Sequence, residues 1–147
     1  MKSSVNLVVI DSNFILLPFQ FKIDYFSEIR IKIEGHIRFI IFQQIFNELD
    51  SKRKRSPKAT NFARFYDSGL LYLEENKKKY EIIISKDLKR ENETTDDFVI
   101  RMLNNLKIES RNVYLATNDV ALRKKAKLID ISTIFLRQKK YLSIERA

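Results

Sequence analysis

Five acidic residues stand where their carboxylates could act on one substrate. Asp11 follows a short apolar run directly, and Asp119 closely follows a second such run. Glu48 lies in a stretch with helical spacing, and Asp96 and Asp97 open another. Two carboxylates about 5 Å apart repel by about 3 kcal/mol at an effective dielectric constant of about 20. Three or four acids that meet therefore need a cation, which a divalent metal supplies.

The rest of the composition restricts which metal this could be. The chain contains no cysteine and a single histidine, His36, so neither a thiolate site nor a histidine-based site can form. Oxygen-only ligands favour hard cations, here Mg²⁺ or Mn²⁺. We expect His36, beside Gly35 in a predicted turn, to lie at the surface rather than to act as a base.

Each acid also has a purely structural interpretation. Asp96, Asp97 and Asp119 lie in first helical turns, where a carboxylate stabilises the helix dipole. Residues 94–97 resemble a capping box, and Glu48 could pair with a lysine one turn later. Asp11 is the hardest to explain in this way, because it ends an apolar strand, where aspartate is disfavoured.

The elements around these acids alternate in type. Short apolar runs predict strands, and segments with helical spacing separate them. This alternation predicts a parallel sheet of about five strands with helices on both faces, in one domain over residues 1–147. We expect the basic tail from about residue 137 to be loosely ordered. The predicted strands are Val5–Ile10, Ile37–Phe42, Tyr80–Ile84, Val113–Ala116 and Leu128–Leu136.

The predicted helices span about 24–33, 43–55, 94–106 and 119–127, and a fifth begins at Ser56-Pro57 and ends in the lysine run 77–79. Ser56 would be its N-cap and Pro57 its first residue. Ligand sites in open parallel sheets lie beyond the carboxyl ends of the strands. Asp11, Glu48, the Asp96–Asp97 pair and Asp119 all follow strands, so they can reach the same edge of the sheet.

Charge and hydropathy indicate the class of partner and of location. The 147 residues carry 28 Lys+Arg against 19 Asp+Glu, a formal charge of +9, which favours a polyanion. A lysine-rich proteome is the alternative explanation. No apolar run is long enough to span a membrane, and the N-terminal segment does not resemble a signal peptide, so we expect a cytoplasmic protein.

Clusters of cationic residues near the predicted acidic edge are candidates for contacts with nucleic-acid phosphates, although an ordinary solvated surface is the equal alternative. Most of the eleven Phe are expected in the core, and one or two could stack on splayed bases. The cationic candidates are Lys52, Arg53, Lys54, Arg55, Lys89, Arg90, Arg123 and Lys124.

Four segments together resemble the motifs of PIN-domain ribonucleases, most closely archaeal VapC-like proteins and relatives of ribosomal-RNA-processing endonucleases. VVIDSN resembles a strand that ends in Asp-(Ser/Thr)-Asn, and IFNELD resembles the second motif, a glutamate in a helix. TTDDFVIRML resembles an acidic opening of a helix, and YLATNDVALRKKAK resembles a strand followed by Thr-Asn-Asp. The segment before the acidic pair, ENETT, departs from the small residues usual there.

The resemblance implies a three-layer α/β/α PIN-like fold and Mg²⁺- or Mn²⁺-dependent cleavage of single-stranded RNA. The implied catalytic and metal-binding acids are Asp11, Glu48, Asp97 and Asp119, and either Asp96 or Asp97 could be the ligand of that pair. A homodimer and an antitoxin or ribosome-assembly partner are also implied. The supporting polar residues would be Ser12, Asn13, Thr117 and Asn118.

Two other functions compete with a ribonuclease that acts in ribosomal-RNA processing or as a toxin. One is an RNA-binding PIN scaffold with weak catalysis, although a scaffold does not need four converging carboxylates. The other is a phosphatase or nucleotide-binding module. Only Gly35 and Gly69 are present, so a glycine-rich phosphate loop cannot form.

Overall fold

Six strands form one sheet in the computed structural model, which describes residues 2–147. The strand order is β3-β2-β1-β4-β5-β6; neighbouring strands are parallel throughout except β5 and β6, which are antiparallel. Residues 6–10 of β1 are all buried, as expected for a central strand covered on both faces. The strands are β1 (Ser3–Ile10), β2 (Ile37–Phe42), β3 (Glu81–Ser85), β4 (Ser110–Ala116), β5 (Ser132–Arg137) and β6 (Tyr141–Glu145).

Seven helices within the described residues 2–147 connect and cover the strands. The predicted three-layer α/β architecture is confirmed, and the predicted bounds of β2 and α4 agree with the structure. No helix within residues 2–147 combines the length and the apolar character that crossing a lipid bilayer requires. The helices are α1 (Ser12–Ile15), α2 (Leu17–Gln20), α3 (Tyr25–Lys32), α4 (Gln43–Arg55), α5 (Asn61–Asn76), α6 (Thr95–Glu109) and α7 (Val120–Leu128).

The predicted start of α5 at Ser56-Pro57 is wrong. Ser56 ends α4 instead, because its hydroxyl donates to the Lys52 carbonyl at 2.8 Å and its N–H donates to the Arg53 carbonyl at 3.1 Å. The N-cap of α5 is Thr60, whose hydroxyl accepts from the Ala63 N–H at 3.2 Å. Serine can satisfy either end of a helix, so the local sequence did not distinguish the two.

The C-terminal tail, expected to be loosely ordered, forms β6 and closes one edge of the sheet. Leu142 is buried, and its N–H donates to Glu28 of α3 at 3.1 Å. The β5–β6 turn uses Gln138 and Lys139 at positive φ. Glycine and asparagine are the usual signals for such a turn, so the hairpin was not apparent in the sequence.

Candidate metal and nucleic-acid site

The site lies where the strand order reverses. From β1 the chain adds β2 and β3 on one side, then returns to place β4 on the other side of β1. Ile10 at the end of β1 pairs with Ala116 at the end of β4. Asp11 and Thr117, the next residue of each strand, therefore emerge side by side in the crevice where open α/β sheets bind their ligands.

Asp11 is held in a fixed orientation. Its residue is only 7% exposed, and its Oδ2 accepts from the Thr117 hydroxyl at 2.7 Å and from Asn13 Nδ2 at 3.1 Å. Burial raises the pKa of this carboxyl, and the Thr117 hydrogen bond opposes that shift. The charges of Asp96 and Asp119 raise the pKa further. Asp11 therefore faces other carboxylates without a cation of its own.

Asn13 and Asn118 join the two strand ends. Asn13 Nδ2 also donates to Thr117 Oγ1 at 3.2 Å, and its Oδ1 accepts from the Asn118 N–H at 2.9 Å. Asn118 Oδ1 accepts in turn from the Leu136 N–H of β5 at 2.7 Å. These contacts tie three strands together beneath the carboxylates.

Asp119 is the N-cap of α7 and also lines the cleft. Its Oδ1 accepts from the Leu122 N–H at 3.0 Å, and its own N–H donates to Thr117 Oγ1 at 3.1 Å. The structural interpretation placed Asp119 in the first turn of its helix, whereas the structure makes it the N-cap, one position earlier. This role does not remove the carboxylate from the cleft, because a cap uses one oxygen and leaves the other available.

Glu48 reaches the same cleft from α4, on the opposite side of β1. It accepts a short hydrogen bond from the hydroxyl of Thr95, the first residue of α6. The alternative pairing with Lys52 is not formed, since the Lys52 ammonium lies over the ring of Phe62 instead. Glu48 and α6 are thus connected, which brings the second and third predicted motifs together.

Of the acidic pair, Asp96 lies in the cleft wall and Asp97 does not. The side chain of Asp97 is 64% exposed, and it pairs with Lys125 of α7 at 3.7 Å. The proposal below therefore takes Asp96, and not Asp97, as the catalytic acid of this pair. The rotation of α6 explains this difference. At about 100° per residue, Asp97 is about 170° from the centre of the buried face, whereas Asp96 is about 90° away.

The acids line one open cleft of about 400 Å³. Burial raises the pKa of Asp96, and so do the charges of Asp119, Asp97 and Glu48, with Lys125 opposing them. Within residues 2–147, none of the four cleft acids forms an ion pair with a lysine or arginine. The cleft wall consists of Asp11, Ser12, Asn13, Leu16, Glu48, Leu49, Lys52, Phe62, Thr95, Asp96 and Asp119.

The chemistry of these donors fits a hard divalent cation. Every acidic group at the cleft offers carboxylate oxygen, with hydroxyl and amide oxygens beside it. Across the described residues 2–147, no three acidic groups are placed to hold one ion by themselves. Mg²⁺ usually takes one or two carboxylates and keeps several waters, so it does not need three. The residues present therefore fit an ion that stays partly hydrated.

The predicted cationic residues divide into three groups. Lys52 lines the cleft. Arg53 is committed to Asp67 of α5 through two hydrogen bonds of 2.9 and 3.0 Å, and the Arg123 guanidinium lies 3.5 Å from the ring centre of Phe135. The remaining residues are exposed on the surface, where their ammonium or guanidinium groups face solvent: Lys54, Arg55, Lys89, Arg90 and Lys124.

Phe62, Thr95 and Leu16 are parts of the cleft that the sequence did not indicate. Helical spacing predicts an inward position for Phe62, and the residue is half-buried. Its ring stands at the boundary between core and cleft, which helical spacing alone does not separate. His36, expected at the surface, is confirmed there: it contacts Glu81 near the opposite end of the strands.

Comparisons with known proteins agree with this geometry. A family model described as a PIN like domain matches residues 8–139. Among solved structures, the one titled "Structure of the PIN domain endonuclease Utp24" superposes with a TM-score of 0.65 at 20% identity. That match covers 96% of this chain and 92% of the other, and it shows a shared fold. No curated protein sequence matches significantly. Because the family model spans most of its length, this chain belongs to the PIN-like domain family.

Proposed function

We propose that this protein is a metal-dependent endoribonuclease that hydrolyses phosphodiester bonds of single-stranded RNA. Mg²⁺ or Mn²⁺ would bind among Asp11, Glu48, Asp96 and Asp119. One observation carries the proposal: four carboxylates from four separate elements line one cleft, and none is paired with a cation among the described residues. An arrangement that served only stability would neutralise such charges, because mutual repulsion costs free energy.

The protein's own polar groups would hold the acids in a fixed orientation. Thr117 and Asn13 fix one oxygen of Asp11, and Thr95 orients Glu48. Fixed carboxylates need not reorganise during the reaction, which is a main source of catalytic advantage in polar sites. A bound divalent ion supplies Lewis acidity toward the phosphodiester and lowers the pKa of an attacking water.

RNA as the substrate is supported by charge and by family. The formal charge of +9 favours a polyanion, and the solved structure cited above is titled as an endonuclease. Ribosomal-RNA processing and VapC-like toxin activity are the two cellular roles proposed, both in the cytoplasm. The protein would act as a homodimer, and its partner would be an antitoxin in the toxin role or a ribosome-assembly protein in the processing role.

An RNA-binding scaffold with weak catalysis is the second candidate. One observation favours it: within residues 2–147, no three acids are placed to hold a metal directly. Residues 91–95 also depart from the small residues usual in the family. Because this segment positions Asp96, the departure likewise favours a scaffold with weak catalysis. A scaffold would bind RNA through the same cleft and would not need a metal.

Cleavage of a single-stranded RNA with Mn²⁺ tests the proposal. We expect cleavage that a chelator abolishes and that Asp11→Asn loses. A second readout does not depend on activity: Mn²⁺ at about a hundred times its Kd should stabilise the wild-type protein by about 2.7 kcal/mol, and Asp11→Asn should reduce this gain. RNA binding without cleavage or metal stabilisation would select the scaffold.

A further inference from the structure

An aromatic ring and an amine stand together in the wall of the acidic cleft. Phe62 of α5 and Lys52 of α4 both line it, together with Asp96 and Asp119. Neither is an acid or a supporting polar group, so metal binding does not explain them. Rings and amines are what proteins offer to the bases and phosphates of single-stranded nucleic acid.

The Phe62 ring packs on the buried side chain of Tyr66. It lies nearly parallel to the Tyr66 ring, with an angle of 14° between planes and 5.8 Å between centres. Tyr66 is buried, and its hydroxyl donates to Asp50 of α4. Two hydrogen bonds from Arg53 to Asp67 join the same two helices. Phe62 is therefore a fixed platform rather than a mobile side chain.

Lys52 covers this platform when no nucleic acid is bound. Its ammonium lies 4.3 Å from the centre of the Phe62 ring, although the residue is exposed to solvent. An exposed contact of this kind shifts an equilibrium by only about twofold to fivefold. Stacking of a base on an aromatic side chain is worth about 5-fold to 150-fold. A base can therefore displace the ammonium from the ring.

We propose that Phe62 stacks on an unpaired base next to the phosphate in the acidic cleft, and that Lys52 moves from the ring to a neighbouring phosphate. This inference rests on the proposed function and adds how the site selects its substrate. A base in a duplex already stacks on its neighbours and cannot present its face to Phe62 without being unstacked. The platform would thus favour single-stranded RNA over double-stranded RNA.

Binding measured without metal tests the inference apart from cleavage. The probe is a short single-stranded RNA that carries a fluorescent purine analogue whose emission falls on stacking, titrated in chelator. We expect Phe62→Leu to weaken binding about 5-fold to 150-fold and to abolish the quenching, while Phe62→Tyr retains both. Lys52→Met should reduce the slope of log K against log salt by about 0.7.

Phe65→Leu is the matched control. Phe65 lies on the same helix, is likewise half-buried, and packs on Phe19 at 5.8 Å between ring centres, outside the cleft. It should bind RNA like the wild type. Equal binding and quenching by Phe62→Leu and wild type would overturn the platform, even where the wild type still cleaves with Mn²⁺. A wild type that binds no RNA either in chelator or with Mn²⁺ would overturn both the platform and the proposed function.

Discussion

The Thr117 hydroxyl connects the two halves of the site at the level of single residues. It donates to Asp11 and accepts from Asn13 and from the Asp119 N–H. Thr117 is fully buried, so water cannot replace these partners. A buried polar group that loses its partner costs about 1–3 kcal/mol. One hydroxyl therefore positions two of the proposed metal ligands.

Replacing Thr117 by valine should expose this role. Thr117→Val keeps the shape of the side chain but leaves Asp11 and the Asp119 N–H each without one hydrogen bond. We expect a loss of about 1–3 kcal/mol in the free energy of unfolding, measured in urea, and a further rise in the pKa of Asp11. Thr117→Ser retains the hydroxyl and is the control. Equal stability of the valine and serine variants would contradict this role.

The Asp96 and Asp97 carboxylates make a direct test of the site, because they are adjacent in sequence and differ in position. Asp96→Asn should lower Mn²⁺-dependent cleavage by more than about a hundredfold, since a metal's stabilisation of transition-state charge is worth several kcal/mol. Asp97→Asn loses only an exposed contact with Lys125. Its rate should stay within about fivefold of the wild type.

Melting curves of both variants would confirm that each is folded. The result that would reverse the assignment is loss of cleavage in Asp97→Asn with activity retained in Asp96→Asn. In that case α6 would have to rotate on binding, which its buried Phe98 and Leu103 oppose.

At the scale of elements, the contact of α5 with α1 helps to position Asp11. Gly69 of α5 packs directly on the backbone of α1: a Cβ at this position would lie 2.0 Å from the Ile15 carbonyl oxygen. The helix α1 begins one residue after Asp11. The depth at which α5 packs therefore helps to set where Asp11 stands in the cleft.

Gly69→Ala should destabilise the protein, although alanine favours a helix by about 1 kcal/mol. The new methyl group meets backbone, which cannot rotate away, and overpacking of this kind costs about 1–3 kcal/mol or more. We expect a lower midpoint in urea and weaker Mn²⁺ stabilisation as α1 shifts. The neighbouring Ser68→Ala, which adds no atoms, should change stability by less than about 0.5 kcal/mol. An alanine variant at position 69 as stable as the wild type would show that the helices separate freely.

The whole molecule combines a net positive charge with one acidic cleft. The formal charge is +9, while four unpaired carboxylates line the cleft. The surrounding surface would attract a long polyanion, whereas the cleft itself would repel it. Surface cations and a metal bound in the cleft would therefore contribute separately to RNA binding. Arg53 contributes little to this attraction, because Asp67 neutralises it.

Salt dependence measures that surface contribution. If about three to five phosphates are contacted, log K for single-stranded RNA should fall with log salt at a slope of about −2 to −3.5. Lys54→Ala, at an exposed position of α4 two residues after Lys52, should reduce the slope by about 0.7 where its ammonium contacts a phosphate. Lys78→Ala is the control, because it follows α5 near the amino end of β3, away from the cleft. A flat plot would remove the phosphate contacts from the proposal.

Local chemistry made much of this structure predictable. Apolar β-branched runs predicted the five parallel strands, and Asp119 and Thr94 cap helices as their types suggest, since a cap depends on neighbours within three residues. The order of acids after strands was also sufficient to bring Asp11, Glu48 and Asp119 to one edge, because parallel strands share that edge.

The sequence by itself therefore determined the fold class, the motifs and the edge at which the acids meet. Tertiary packing decided the rest. Only the rotation of α6 against the sheet selects Asp96 over Asp97, and only the docking of α4 on α5 brings Phe62 and Lys52 into the cleft wall. The hairpin that adds β6 likewise depends on burial of Leu142 and not on a turn signal. These choices rest on contacts between residues distant in the chain, which short-range spacing does not encode.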